Sequence, residues 1–411
     1  MINNRPPHDG SFLNVVAKRT ERGLKRALDG MGYEDVVRSG MMEAFFQPVD
    51  TLADRVAARD GTYVSFGHYD YLSLARHPKV IEAGVDALRR FGSGAGASRL
   101  VGGERSIHAA FEHSLATFLG VGGTLAMISG YLTNLTLIPH LLNAKDLLIL
   151  DDLAHNSISS TARIGTYACR TFAHNDCEAL ERILISERSK YRNVLIVTEG
   201  MFSMDGDIPD LPRLLALKDA HNAWLMLDEA HSYGVLGAHG RGITEHFGVN
   251  PARVDITVGT LSKSFAASGG FIAAARPVID WLRFTLPGFV YSVGLSPVTV
   301  ATAHAALDVL RAEPERLHRL SENSMYFLTK AQQAGLNTGP AIGMAVVPLI
   351  FESTAQTMQV SHRLEEAGIY APPVAQVGVP TNKPRVRFFM SADHTPAQID
   401  TAIDLIAATT S

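Results

Sequence analysis

Residues 223–234, AWLMLDEAHSYG, and residues 254–270, VDITVGTLSKSFAASGG, decide the reading of this chain. Each opens with a short apolar run that breaks into polar and glycine residues. Ala223–Leu227 gives way to Asp228 and His231, and Val254–Val258 to Thr260, Ser262 and Lys263. Apolar runs of this length, bounded by such signals, predict buried strands. Three more lie upstream: Leu125–Ile128 before SGY, Leu147–Leu150 before DDLAHNS, and Val194–Val197 before TEGMFSMDGD. Helical segments such as Leu211–Ala220 separate several of them. Strands alternating with helices predict an α/β fold on a mainly parallel sheet covered on both faces. Ligands in such sheets bind beyond the carboxyl ends of the strands, which is where all five polar clusters fall.

Around this centre the chain divides into three. Residues 1–55 are polar and charge-mixed, with a helical stretch near Leu13–Leu28, and read as an extension that packs on a partner subunit. Residues 56–295 form the large domain, and residues 296–411 a smaller α+β domain. The smaller part carries a helical pattern over Pro297–Leu310, apolar runs Val346–Ile350 and Arg385–Met390, and a last helix from Pro396. Pro78 opens a helix closed by Gly92, with Ile81, Val85 and Leu88 on its expected apolar face.

Of the 411 residues, 46% are hydrophobic and 19% charged, which suits a globular protein and excludes a disordered one. A net charge of −4 supplies no global basic field for nucleic acid. Two cysteines, Cys169 and Cys177, exclude a disulfide framework and cannot by themselves complete a zinc site; no metal is expected. The opening MINNRPPHDG has no apolar signal core, and the run Leu135–Leu150 is broken by Pro139, His140, Lys145 and Asp146. The expectation is a cytoplasmic chain with no integral membrane segment.

Singly, the polar clusters are weak signals. Lys263 among Ser, Thr and Gly is as readily a surface lysine as a Schiff-base former beside a phosphate site. Asp228 suits a protonated ring nitrogen, but an aspartate after a strand also caps helices. Ser129-Gly130 is an anion-binding helix start or a plain turn. His155 could stack on an aromatic cofactor or be a satisfied structural residue. Their joint order is hard to obtain from turn statistics: amide pocket, histidine, Glu199 with Ser203, Asp228 with His231, then lysine, each after its own strand.

That order, with YDYLSLARHP, FGSGAGASRLVGGE, SGYLTN, DDLAHNS, EGMFSMDGD, DEAHSYGVLGAHGRG, GTLSKSF and RVRFFMSADHTPAQI, closely resembles the α-oxoamine synthases over residues 60–411. These are fold-type I, pyridoxal 5′-phosphate (PLP) dependent transferases. The resemblance implies catalytic roles for Lys263, His155, Asp228 and His231. Lys263 would carry the cofactor, Asp228 pair with the pyridine nitrogen, His231 face the phenolic oxygen and His155 stack over the ring. It further implies Ser129, Gly130, Tyr131, Thr260 and Ser262 around the phosphate, Ser203 near the phenolic oxygen and Glu199 in support. Ser292, in FVYSVGLSP, would reach a phosphate across a homodimer with shared active sites. Arg387 matches the arginine that holds the amino-acid carboxylate, with Arg385 ranked second and Tyr69 beside them.

The implied activity is decarboxylative condensation of serine, glycine or alanine with an acyl thioester, on coenzyme A or an acyl carrier protein, to give an α-aminoketone. Tyr69 and the glycine-rich FGSGAGASRL favour the serine palmitoyltransferase type. Ala371 stands where serine palmitoyltransferase and 8-amino-7-oxononanoate synthase usually carry an arginine before Pro-Pro, and the spacing from Tyr370 to Arg387 resembles the glycine-using synthases. The glycine C-acetyltransferase and 8-amino-7-oxononanoate synthase types are the alternatives. A secondary-metabolite acyltransferase and a non-catalytic partner subunit are further alternatives, though Lys263, Asp228 and His231 speak against the last.

Overall fold

A computed structural model describes residues 12–27, 33–38, 49–52, 55–58, 61–374 and 383–410. Three short strands come first: β1 (Asp50–Leu52), β2 (Arg55–Ala58) and β3 (Gly61–Ser65), paired antiparallel in that order. A seven-stranded sheet follows, built from β4 (Gly123–Met127), β5 (Leu147–Asp151), β6 (Ala168–Phe172), β7 (Val194–Glu199), β8 (Trp224–Asp228), β9 (Ile256–Thr260) and β10 (Gly270–Ala274). Its spatial order is β4-β10-β9-β8-β7-β5-β6. The run from β9 to β6 is parallel, and β10 lies antiparallel to both neighbours. β4, β5, β7, β9 and β10 are buried along their whole length. Burial from both sides explains why these strands read as continuous apolar runs rather than alternating ones.

Five of the seven strands match the sequence reading, and two were not anticipated. β6, ACRTF, is an edge strand with exposed Arg170 and Thr171, so its pattern is not that of a core strand. β10, GFIAA, hides behind Gly269-Gly270 and two alanines. Its Phe271 ring lies where a Cβ on Gly259 would stand, 2.2 Å from Phe271 Cζ. The glycine inside buried β9 is therefore a packing requirement.

In the C-terminal part, helix Pro297–Ala312 is followed by helix Glu315–Gln333, which the sequence reading lacked. Strands β11 (Val346–Ile350), β12 (Ile369–Tyr370), β13 (Pro373–Val374) and β14 (Arg385–Phe389) come next, then the last helix, Pro396–Thr410. β14 pairs antiparallel with β11 on one side and β13 on the other. β12 pairs in parallel with β3. Residues 61–66, assigned by sequence to the large domain, are thus bound to the C-terminal part. Phe66 N donates to Tyr370 O and Phe389 N to Phe66 O, both at 2.8 Å, and the fully buried Phe66 ring stacks on His394 at 4.2 Å.

Helix Pro78–Phe91 forms as expected but buries a different face. Val80, Gly84 and Ala87 are covered, while Ile81 and Leu88 are exposed. The cause is Gly84: a Cβ there would lie 2.9 Å from Thr302 Cγ2, so the missing side chain lets helix Pro297–Ala312 approach closely along that stripe. The expected helix near Leu13–Leu28 spans Phe12–Ala27, and Leu28 lies outside the described residues.

Candidate active site

The polar ends of β7, β8 and β9 open into one cavity of about 310 Å³. Its floor is set by strand register. Glu199 and Asp228 are direct partners in the β7–β8 ladder, so two buried carboxylates stand side by side. Asp228 Oδ1 accepts from Ala230 N at 3.0 Å and Oδ2 from Asn134 Nδ2 at 2.7 Å. Glu199 Oε1 accepts from His155 N at 2.7 Å. Burial, and then the charge of Asp228, pushes Glu199 well above the ordinary carboxylate range.

Lys263 lies in the loop after β9. Burial lowers its pKa to about 8, against the upward pull of Asp228 and Glu199. A buried amine that is partly neutral near pH 8 is suited to act as nucleophile and proton carrier. Across the cavity, helix Gly130–Leu141 starts at Ser129, whose side chain caps it by accepting from Leu132 N at 3.3 Å. A Cβ on Gly130 would lie 3.0 Å from Thr260 Oγ1, and Thr260 Oγ1 is 2.7 Å from Ser262 Oγ. Hydroxyls and free amides at the positive end of a helix form an anion cradle.

Two histidines line the walls, each with its ring orientation set from behind. His155 Nδ1 is 2.7 Å from Ser157 Oγ and receives Ser157 N at 3.3 Å. His231 Nδ1 is 2.6 Å from Tyr71 Oη. Burial pushes the Tyr71 pKa up, so Tyr71 keeps its proton and donates it to Nδ1. The His231 proton then sits on Nε2. Burial lowers the pKa of both imidazoles, for His231 assisted by the charge of Lys263 and for His155 opposed by Asp228.

The mouth is closed by β14. Arg387 Nη1 donates to Ser203 O at 2.8 Å, Nη2 reaches Tyr69 Oη at 3.3 Å, and the guanidinium stacks 4.4 Å from the Phe389 ring centroid. Its Nε is buried and has no hydrogen-bond partner. The free Nε–H and the second Nη2 hydrogen lie on one edge of the group, the fork that grips a carboxylate. The turn carrying Ser203 is pinned by His174, which bridges Asp151 (3.0 Å) and Asp207 (2.9 Å). Burial would lower His174, but these two bonds outweigh it and raise its pKa to about 10. Among the described residues Asp151, Asp152 and His174 are close enough to hold a cation, yet both His174 nitrogens are already engaged.

Of the residues singled out in the sequence, Tyr69, Gly130, Tyr131, His155, Glu199, Ser203, Asp228, His231, Thr260, Ser262, Lys263 and Arg387 line this cavity. Ser129 sits behind it as the helix cap. Arg385 is a correction. It shares its strand face with Arg387 but is 1% exposed, bound to Met204 O (2.7 Å) and Asp205 Oδ1 (2.8 Å), and does not reach the cavity. Ser292 is not brought to the cavity of its own chain; it is half-buried between exposed Tyr291 and Val293.

Sequence reasoning missed Asn134, Ser157 and Tyr71. Asn134 follows Gly130 by four residues and so shares its helix face, and Tyr71 follows Tyr69 in YDY. Those spacings were the available signals.

The aminotransferase class I and II family model matches residues 62–406. The chain is 35% identical to serine palmitoyltransferase of Sphingobacterium spiritivorum over 382 residues, 93% of this chain and 95% of that one. It is 36% identical to 8-amino-7-oxononanoate synthase of Alkaliphilus oremlandii over 341 residues, 83% and 86% of the two chains. Among solved structures, serine palmitoyltransferase from S. paucimobilis with bound PLP–myriocin aldimine superposes with a TM-score of 0.90 at 28% identity, covering 96% of this chain and 98% of that one. Sphingomonas wittichii serine palmitoyltransferase gives 0.86 at 29% identity, covering 92% and 96%. The chain belongs to the aminotransferase class I and II family, in its branch of α-oxoamine synthases, which are PLP-dependent acyltransferases.

Proposed function

We propose that this protein condenses a small amino acid with an acyl thioester, with loss of carbon dioxide and free thiol, and that serine is its amino acid. The observation that carries the reading is the meeting, in one cavity, of half-buried Lys263, the Asp228 carboxylate and the unpartnered Nε–H of Arg387. The near-complete coverage of the Sphingobacterium spiritivorum serine palmitoyltransferase supports serine.

The residues present fit PLP. The cradle at Ser129, Gly130, Tyr131, Thr260 and Ser262 would take the phosphate, and Asp228 the protonated ring nitrogen. His155 would cover one ring face, and His231 Nε2–H would donate to the phenolic oxygen with Ser203 nearby. PLP, when bound, supplies the electron sink that makes the amino-acid Cα–H acidic. Arg387 fixes the amino-acid carboxylate and with it the orientation of Cα. Lys263, partly neutral near pH 8, removes the Cα proton and later returns one after carbon dioxide leaves. Cα attacks the thioester carbonyl, the C–S bond breaks, and the sulfur leaves as thiolate, which takes a proton from solvent; the bond from Cα to the carboxylate then breaks to release carbon dioxide.

A homodimer is part of the proposal, with Ser292 beside the neighbouring subunit's phosphate. No helix among the described residues is long and apolar enough to cross a membrane, and the cytoplasm is the proposed compartment.

The test is a screen of purified holoenzyme with glycine, alanine, serine and threonine. Spectral shifts of the cofactor band come first, then mass spectrometry with acyl-coenzyme A and acyl carrier protein thioesters of several chain lengths. Serine should give the α-aminoketone and carbon dioxide. Turnover of glycine or alanine alone would refute the choice of serine, and no ketone from any pair would refute the reaction. Sedimentation of a fully active monomer would refute the shared sites.

A further inference from the structure

We infer that Asn134 is a positioning residue that holds Asp228 and His155 in one hydrogen-bonded relay, fixing the plane of the Asp228 carboxylate and the tautomer of His155. This rests on the proposed function above.

Asn134 is 1% exposed on helix Gly130–Leu141, one turn below the anion cradle. Its Nδ2 donates twice, to Asp228 Oδ2 at 2.7 Å and to Ser157 Oγ at 2.9 Å. The carboxylate settles which side-chain atom faces it, since only the amide nitrogen can donate there. The same assignment turns Asn134 Oδ1 away from both, and it is buried without a partner. A fully buried amide normally satisfies both ends, so this orientation is held at a cost and has a reason.

The consequences run in two directions. With one oxygen of Asp228 on Asn134 and the other on Ala230 N, the carboxylate plane is fixed. A carboxylate held in one plane is what would keep a proton on a ring nitrogen. Because Ser157 Oγ accepts from Asn134, its own proton is free to go to His155 Nδ1. The Ser157 backbone N–H points at the same nitrogen. Two donors on Nδ1 leave the His155 proton on Nε2 and its ring neutral. The charged and titratable groups facing the relay are Glu199, which accepts from His155 N, Lys263, which faces both Asp228 and His155, and Arg387 and His231, which face His155. Asn134 thus ties its own helix to the end of β8 and to the segment after β5.

The experiment follows exchange of the serine α-proton with solvent deuterium by ¹H NMR, using holoenzyme and no thioester, together with the cofactor absorbance and the melting temperature. Asn134→Ala should retain cofactor and exchange at least about tenfold more slowly, with the amino-acid affinity little changed. Asn134→Asp puts a carboxylate against Asp228. It should be slower still at pH 8 and recover as the pH falls, because the protonated carboxyl again donates. A group that merely filled space would show no such reversal. Ser157→Ala, which leaves the Asp228 bond intact, should lose only a few-fold and serves if Asn134→Ala does not fold. Cofactor-loaded Asn134→Ala exchanging at the parent rate, or Asn134→Asp with the parent pH profile, overturns the inference and leaves the proposed function standing. Parent protein that binds PLP but exchanges no amino-acid proton overturns the proposed function itself.

Discussion

Removing Arg387 and removing Arg385 should damage the protein in opposite ways, although the two lie on the same face of β14 two residues apart. Arg387 offers an unpartnered Nε–H beside Nη2 in a largely buried setting, Nη1 being held by Ser203 O and Met204 Sδ and one Nη2 hydrogen by Tyr69 Oη. Removing one partner of a buried, bidentate charge pair costs about 3–5 kcal/mol. The cavity mouth admits water to the orphaned carboxylate, so the lower end applies, and about 3 kcal/mol is roughly a hundredfold in affinity. Arg387→Ala should therefore weaken amino-acid binding about a hundredfold while the cofactor stays bound. Arg387→Lys should fall between, since a point charge keeps the attraction and loses the fork.

Arg385, in contrast, neutralises Asp205 at 2.8 Å from a side chain 1% exposed. Arg385→Ala strands that carboxylate and should lower the melting temperature by several degrees, with less than about a threefold change in amino-acid affinity. The assay is an amino-acid titration of the cofactor absorbance, paired with thermal melts. An Arg385→Ala protein that melts like the parent but binds amino acid worse than Arg387→Ala would refute the assignment. If neither variant changes the titration, the carboxylate is held elsewhere.

Three further outcomes are expected. Lys263→Ala should fold, and should show no turnover and no borohydride-stable cofactor label on the protein; a labelled or active variant would remove Lys263 from its role. Asp228→Asn should cost roughly a hundredfold in kcat, the scale of losing one preorganised charge partner, and near-parent kcat would reduce Asp228 to a structural cap. In cofactor-free protein the rate of covalent PLP uptake should rise with pH, reach half its maximum near pH 8 and level off about one unit higher. The reason is that only the neutral Lys263 amine is nucleophilic and burial lowers its pKa to about 8. A rate still climbing at pH 10 would place the amine near its ordinary range.

The cofactor side of the cavity was legible in the sequence because its parts are local. Each of Ser129, His155, Glu199, Asp228 and Lys263 follows an apolar run that announces a strand, and parallel strands bring their ends together wherever they lie in the chain. What escaped notice depends on partners far off. Arg385 and Arg387 have the same parity, and only the turn at Ser203–Asp205 separates a buried ion pair from a cavity-facing fork. Ile81 and Leu88 fit a helical period, but the absent side chain of Gly84 selects the adjacent stripe. Phe271 demands Gly259 opposite it, so a buried strand looked like the tail of a glycine loop. Tyr71 is an apolar-looking residue whose hydroxyl matters only because His231 stands beside it.

The pairing of β3 with β12, and of Phe66 with Phe389, has a bearing on how the protein is made. Tyr69 and Arg387 meet across 318 residues of chain, whereas Asp228 and Lys263 are neighbours through β8 and β9. Loop closure over such a span is slow and comes after local contacts have formed. During synthesis the cofactor-facing half of the site is complete once β10 has emerged. The YDY segment, made long before, has no seat until β14 follows. The amino-acid subsite is then completed late, its two halves coming from near opposite ends of the described core.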